Sequence, residues 1–326
     1  MTLLVRIYYN TVFGALGGLL GWMLFGVFGE KNPSGAPAFL FLNEQDLNAI
    51  LGGLVIGGAI GFLVVSVDAI RDGAMVRFAR LASYGVVLGA IGGALGMFLG
   101  DKLNRTLIEA LGDRWYVAML VRGLGWMLLG VAIGMSEGIA ARSLGRFSYG
   151  TLGGAIGGFV GGCLFMVFYQ AGLPQASATQ SSAAHIWSQA LGLVILGASI
   201  GSLSALVQAV FQPACVRVLR GWQEGREYPL EKPASLLGRE EHADIALFRD
   251  MKVEKKHAYI NRVGERYVLV NNSAPPEWTR VNDAPVPQSL DLNDGDRIQL
   301  GNVILRFHLR AASNRQRAKR PLPLPG

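Results

Sequence analysis

The first two-thirds of the chain contain six apolar stretches, within which Arg122 is the only charged residue. The stretches cover residues 8–28, 48–67, 82–100, 116–136, 149–170 and 188–211. A helix rises about 1.5 Å per residue, so about 20 residues cross the roughly 30 Å hydrocarbon core of a bilayer. Helices are expected because a segment in lipid must satisfy its backbone amides internally. The pattern predicts an all-α transmembrane bundle of six helices over residues 1–212.

Glycines recur in these stretches at spacings that indicate an internal repeat. The odd-numbered stretches each carry four glycines at positions i, i+3, i+4 and i+7, and the even-numbered stretches each carry a pair four residues apart. The glycines are Gly14, Gly17, Gly18 and Gly21, then Gly89, Gly92, Gly93 and Gly96, then Gly154, Gly157, Gly158 and Gly161, and the pairs Gly57 and Gly61, Gly130 and Gly134, and Gly197 and Gly201. The spacing predicts three two-helix repeats whose side-chain-free stripes, a glycine zipper, let neighbouring helices pack closely. The alternative is a substrate or ion path between the repeats.

Basic residues flank the predicted spans mainly on one side. They are Arg6, Arg71, Arg77, Arg80, Arg142, Arg146, Arg217 and Arg220. Because basic loops are retained in the cytoplasm, both termini are predicted to be cytoplasmic in a multi-pass protein of a bacterial inner membrane. Asp68, Arg122 and Glu137 lie near predicted span ends, where their side chains can reach the interface, and this placement argues against a pump.

Composition agrees with a membrane location for most of the chain. Only 16% of the residues are charged, against roughly 25% in an ordinary soluble domain, and the mean hydropathy is +0.34. The net charge of +7 owes much to residues 310–326, which contain five basic residues and no acidic one. This Pro-rich tail is predicted to be disordered, either as a solubilising terminus or as a segment attracted to anionic lipid, and it does not indicate nucleic-acid binding.

The chain shows no pattern of a catalytic or metal site. Cys163 and Cys215 lie in different halves, and neither has a second Cys or a His at metal-ligand spacing. Residues 197–201 fit Gly-x-Ser-x-Gly, but that motif needs a strand-to-helix elbow and lies here inside a predicted helix. We therefore expect no enzymatic activity, no cofactor and no metal.

Helical periodicity stops at Pro213, and short alternating runs separated by Asn, Gly, Asp and Pro turns follow it. The runs cover residues 216–219, 226–230, 258–260, 267–270, 297–300 and 303–307. Alternation of apolar and polar positions is typical of strands with one buried face. The pattern predicts an all-β sandwich over residues 213–309.

Six sequence blocks in this part of the chain resemble the forkhead-associated (FHA) domain over about residues 214–309. They are Leu237–Arg239, Asp244–Leu247, Val253–Ile260, Tyr267–Leu269, Thr279–Asn282 and Leu292–Gly301. The resemblance implies a β-sandwich that binds phosphothreonine peptides. No family resemblance is found for the membrane part.

The resemblance also implies a set of binding residues. The candidates are Arg239, Glu254, Lys255, His257, Asn272, Glu277, Thr279 and Asn282. Arg239 would contact the phosphopeptide, and His257 would brace the binding loop. Glu254 stands where the family has a phosphate-binding serine, and Glu277 stands where it has a peptide-binding asparagine. Asn271 or Asn272 could take the place of that asparagine.

Charge then separates two hypotheses for this site. A carboxylate about 4 Å from a phosphate repels each unit of its charge by about 4 kcal/mol at an effective dielectric constant of 20. Glu254 therefore favours phosphate-independent protein binding, unless Arg239, Lys255, Lys256 and Arg280 outweigh it and phosphothreonine binding survives.

The sequence thus predicts a membrane-anchored signalling adaptor that presents an FHA-like module to a protein partner. The alternative is a channel or transporter subunit that the module regulates. The lipid bilayer is the second expected partner, nucleic acid is not expected, and association into a homo-oligomer stays open.

Overall fold

The computed structural model describes residues 3–29, 44–72, 75–112, 114–141, 143–171, 181–240, 243–247, 249–272 and 274–309. The chain divides into two compact units, Thr2–Val210 and Phe211–Gly326. The predicted disordered tail, residues 310–326, lies outside the described residues.

Six helices are described in the first unit, and each contains one of the six apolar stretches. They are α1 (Leu3–Gly29), α2 (Glu44–Asp72), α3 (Met75–Leu111), α4 (Trp115–Ala141), α5 (Leu144–Ala171) and α6 (Ser181–Phe211). Within the described residues, α2 to α6 are long and apolar enough to cross a membrane, and α1 is not among these five. Six helices are described in this region, and five of them qualify as candidate membrane spans over the described residues, so the prediction of six spans is confirmed only in part.

Glycine positions are where the helices of the bundle approach most closely. A Cβ atom on Gly57 would collide with the Gly89 carbonyl oxygen, which joins α2 to α3. The same relation holds between Gly130 and Gly154 for α4 and α5, and between Gly197 and Gly14 for α6 and α1. Backbone-to-backbone contact of this kind brings many atoms of neighbouring helices within the range of dispersion forces.

The remaining neighbours in the ring, α1 with α2, α3 with α4 and α5 with α6, also meet at glycines. Gly17 lies against Ile60, Gly96 against Gly125, and Gly157 against Ile200. Every helix therefore contacts the helix before it and the helix after it. The contact between α6 and α1 closes the ring.

The buried core of the bundle comes mainly from α2, α4 and α6. Its members include two sets of three aliphatic residues, each at most 3% exposed, one from each of these helices: Ile56, Leu129 and Leu196, and Ile60, Ile133 and Ile200. Helices α3 and α5 instead expose large apolar side chains such as Ile91 and Ile156. The interior of the bundle is apolar and packed at these positions.

Polar contacts join helices near the two ends of the bundle. Arg6 on α1 donates to Gln208 Oε1 on α6 at 2.6 Å, and Gln208 Nε2 donates to Glu137 Oε2 on α4 at 2.6 Å. At the other end, the buried Asp46 pairs with Lys102 Nζ at 2.7 Å and also with Arg105. Arg122, predicted to reach the interface, pairs with Asp101 at 3.0 Å.

Eleven described strands build the second unit. They are β1 (Ala214–Arg220), β2 (Glu227–Pro229), β3 (Ala234–Gly238), β4 (Ile245–Ala246), β5 (Ala258–Val263), β6 (Arg266–Asn271), β7 (Thr279–Val281), β8 (Ala284–Pro285), β9 (Ser289–Leu292), β10 (Arg297–Leu300) and β11 (Val303–Leu309). One sheet has the order β2-β1-β11-β10-β7-β8 and the other β4-β3-β5-β6-β9. All pairs are antiparallel except β3 with β4. Both sheets contribute to one buried apolar cluster, in agreement with the predicted all-β domain.

Candidate functional site

An open pocket of about 420 Å³ lies where β3 and β6 end and the segment before β5 crosses them. Six polar side chains line it: Arg239, Glu240, Glu254, Lys255, Lys256 and Asn272. Three of them are cationic and two are acidic, so the lining carries a small positive excess. Such a lining suits a ligand with hydrogen-bonding groups.

The pocket depends on a close crossing at Gly238, the last residue of β3. The Arg239 N–H donates to the Glu254 carbonyl oxygen at 3.0 Å, and the Glu240 N–H donates to the Lys255 carbonyl oxygen at 3.2 Å. A Cβ atom on Gly238 would collide with the same Lys255 oxygen. Glycine is therefore needed here, because any side chain would separate the two segments that form the pocket wall.

Arg239 places its guanidinium at the pocket edge. Its Nη1 donates to the Sδ atom of Met251 at 2.8 Å, and the side chain is half-buried. Within the described part of the chain, Arg239 forms no ion pair with a carboxylate. A sulfur atom is a weak acceptor, so the guanidinium can exchange this contact for a stronger acceptor on a ligand.

A buried chain of hydrogen bonds centred on His257 holds the pocket loops in place. His257 Nδ1 accepts from the Glu254 N–H at 3.1 Å, so Nε2 carries the proton of the neutral ring and donates to Thr279 Oγ1 at 3.0 Å. Thr279 in turn donates to Asn271 Oδ1 at 3.3 Å, and Asn271 Nδ2 donates to the Ala274 carbonyl oxygen at 2.9 Å. His257 and Thr279 are both fully buried.

Burial lowers the pKa of His257 below its usual range, although the nearby Glu254 carboxylate opposes this shift. The folded domain therefore binds the proton less readily than the unfolded chain, whose histidine pKa is about 6.5. The domain therefore keeps its full free energy of unfolding at pH values above the unfolded pKa of about 6.5 and loses part of it as the pH falls below that pKa. We expect a loss of at most about 1.4 kcal/mol per pH unit in that window. Urea unfolding of the full chain at several pH values measures it.

The His257→Gln variant is the control for this pH dependence. It lacks the titrating ring, so the free energy of unfolding should lose less on acidification than in the parent protein. An identical pH dependence in the two proteins would show that His257 is not the responsible group.

The structure brings four of the eight predicted binding residues together in the pocket: Arg239, Glu254, Lys255 and Asn272. Asn272 is held by its Nδ2, which donates to the Lys256 carbonyl oxygen at 2.9 Å. Of the two asparagines that could replace the family residue, Asn272 reaches the pocket and Asn271 belongs to the buried chain of hydrogen bonds.

The other four predicted residues do not line the pocket. His257 and Thr279 are buried behind it. Glu277 is exposed on a short 3-10 helix, Pro276–Trp278. Asn282 has a φ of +49° in the two-residue turn between β7 and β8, where its Oδ1 accepts from the Arg297 N–H at 2.9 Å. Asparagine tolerates this left-handed backbone, so Asn282 has a role in the turn.

Glu240 is a pocket residue that the sequence reasoning missed. Its position directly after Arg239 could have indicated this, because two adjacent residues that follow the end of a strand lie in the same loop.

Comparison with known families shows which family the second unit is similar to. Residues 217–311 match the family model described as the cytoplasmic domain of an inner membrane component of the type III secretion system. The predicted FHA resemblance of about residues 214–309 is thereby confirmed for this part of the chain. A search of curated proteins finds no match.

Several solved structures that are similar to the chain are FHA domains. One comes from a structural and functional analysis of phosphothreonine-dependent FHA domain interactions. It is 30% identical to this chain, the match covers 30% of this chain and 97% of that chain, and the TM-score is 0.28. The FhaA FHA domain, in complex with the intracellular domain of another protein, is 30% identical. The match covers 29% of this chain and 99% of that chain, and the TM-score is 0.27. An FHA domain from Chlamydia trachomatis is 20% identical, with 30% and 99% covered and a TM-score of 0.28.

Proposed function

From the FHA-like domain that residues 217–311 form, we propose that this protein is a membrane-anchored, non-enzymatic adaptor. Its helical unit holds it in a bacterial inner membrane, and its FHA-like domain binds a protein partner in the cytoplasm. The observation that carries the proposal is the pocket edged by Arg239 within a domain of this family. The family model itself describes a cytoplasmic domain of an inner membrane component, which supports this placement.

The bundle supports anchoring and opposes conduction. A channel or transporter needs a polar or hydrated path, and polar residues at membrane depth mark such paths. The core of this bundle contains two sets of three aliphatic residues, each at most 3% exposed, and the serines buried on the same helices, Ser66, Ser136 and Ser204, are uncharged. The packed interior favours the adaptor over a subunit that conducts.

The carboxylate at position 254 favours a partner segment without phosphate, although cationic side chains outnumber acidic ones in the lining of the pocket. Glu240 and Glu254 both line it, and Glu254 stands where the family has a phosphate-binding serine. Two carboxylates repel a phosphate that carries a charge of about −2, and at 4 Å each unit of charge costs on the order of 4 kcal/mol at an effective dielectric constant of 20. The proposed binding mode is therefore phosphate-independent, with Arg239, Lys255 and Asn272 as hydrogen-bond donors to the partner.

Site-specific photo-crosslinking in cells tests this function on the full chain. A photoreactive amino acid at Lys256, on the pocket rim, should capture the partner. The same amino acid at Glu265, exposed in the hairpin at the other end of β5, should not. Phosphatase treatment before irradiation should leave the adduct unchanged.

The Arg239→Ala variant is expected to weaken capture about tenfold, since a hydrogen bond to a charged group contributes about 1.5–3 kcal/mol. The control is Arg262→Ala, whose Nε donates to the Gly264 carbonyl oxygen in the β5–β6 hairpin. Equal adducts from Lys256 and Glu265, or no effect of Arg239→Ala, would contradict the proposed site. Loss of the adduct after phosphatase treatment would replace the phosphate-independent mode with phosphothreonine recognition.

A further inference from the structure

The outer face of the six-stranded sheet carries a row of arginines. In the strand register, Arg217 on β1 lies opposite Arg306 on β11, and Arg306 lies opposite Arg297 on β10. All three side chains are exposed. Residues that alternate with them, such as Val216 and Phe307, point into the core instead.

A second row on the same face ends in arginine at both sides. Arg220 lies opposite Ile304, Ile304 lies opposite Gln299, and Gln299 lies opposite Arg280. We call the five arginines of the two rows the arginine face: Arg217, Arg220, Arg280, Arg297 and Arg306. On the neighbouring strand β2, the acidic residue Glu227 lies opposite Arg217 and extends the first row.

Stability alone does not explain this arrangement. Like charges directly opposite each other across strands destabilise a sheet. Among the described residues, Arg217, Arg297 and Arg306 form no ion pair with a carboxylate. On the outer face of the other sheet, Tyr259 lies opposite Val270, and the arginine there, Arg266, pairs with Asp291 at 3.4 Å. Within the described strands, arginines that lie opposite one another without a carboxylate partner therefore belong to the six-stranded sheet.

We propose that the arginine face binds the phosphate groups of anionic phospholipids, an inference that rests on the membrane anchoring proposed above. Guanidinium groups suit this ligand because their planar donors match phosphate oxygens. The chain that connects this face to the last helix is short. Helix α6 ends at Phe211 and β1 begins at Ala214, so Arg217 is the sixth residue after the helix. Six residues span at most about 20 Å.

Labelling of the full chain in lipid nanodiscs tests the proposal. In a background of Cys163→Ala and Cys215→Ser, one cysteine is placed at Gln299 on the arginine face. A matched control cysteine is placed at Asn261 on the other sheet, where the residue is likewise half-buried. The measured quantity is the rate of reaction with a water-soluble maleimide, in nanodiscs with and without phosphatidylglycerol.

Anionic lipid is expected to slow labelling at position 299 about fivefold or more, since each basic residue near such a surface adds about that factor in affinity. High salt should restore the rate because it screens the charges. Position 261 should label equally in both kinds of nanodisc. Equal rates at position 299 in both, or equal protection at both positions, would overturn the proposal, as would protection by RNA or an acidic peptide in place of lipid.

The double variant Arg297→Gln and Arg306→Gln separates binding from folding. It should label position 299 at the same rate in both nanodiscs while its thermal stability is unchanged or higher, because like-charge repulsion is relieved. A variant that folds and keeps the lipid-dependent protection would overturn the proposal. Failure of the chain to enter nanodiscs would instead contradict the membrane anchoring. Partner capture at Lys256 does not depend on lipid composition, so it tests the pocket separately from the arginine face.

Discussion

Gly57→Ala is expected to destabilise the helical bundle severely. Gly57 on α2 lies against α3 so closely that a Cβ atom would collide with the Gly89 carbonyl oxygen. This neighbour is backbone and cannot rotate away, so the two helices must separate. Overpacking of this kind costs about 1–3 kcal/mol and sometimes more. Thermal unfolding of the full chain in mild detergent measures the loss.

Gly58→Ala is the matched control on the same helix. A Cβ atom at Gly58 has its nearest neighbour, the Ala90 Cβ, at 3.7 Å, which is an ordinary contact. Alanine is also the better helix former by about 0.8–1.0 kcal/mol, so this variant should be at least as stable as the parent. Similar losses in both variants would contradict the close packing of α2 on α3.

The second large effect is expected from Gly238→Ala in the FHA-like domain. The added methyl group would collide with the Lys255 carbonyl oxygen and force apart the segments joined by the Arg239 and Glu240 N–H groups. Each hydrogen bond lost contributes about 0.5–1.5 kcal/mol, in addition to about 1–3 kcal/mol of overpacking. We therefore expect both a lower free energy of unfolding, measured with urea, and loss of partner capture at Lys256.

Gly264→Asn is the control for this prediction. Gly264 has a φ of +63°, which asparagine tolerates, and nothing lies within 4 Å of a Cβ atom there. Its stability and partner capture should match those of the parent protein. A Gly238→Ala variant that kept full stability and binding would show that the close crossing is not needed for the pocket.

The sequence predicted the elements well because their periodicity is strong. Long apolar stretches with glycines at fixed spacing became the six helices, and alternating runs after Pro213 became strands. The prediction of six membrane spans is confirmed only in part, since five helices qualify over the described residues.

The residues that line the pocket were harder to predict because motif spacing does not give the path of a loop. Counting back from Thr279 placed Glu277 in the site, but the 3-10 helix Pro276–Trp278 leaves its side chain exposed away from the pocket. Asn272, at the end of β6, lines the pocket instead. Similarly, the sequence could not show that like charges on β1, β10 and β11 share one face, because strand register is a property of the assembled sheet.

Alkaline carbonate extraction followed by proteolysis tests the central claim most directly, namely that a membrane-embedded bundle carries a water-exposed FHA-like domain. In cells that express the full chain, carbonate should leave the protein in the membrane pellet. Protease added to the cytoplasmic side should then remove the unit that begins at Phe211 and leave the helical unit protected. Release of the intact chain into the carbonate supernatant, or protection of the FHA-like domain from protease, would contradict the account.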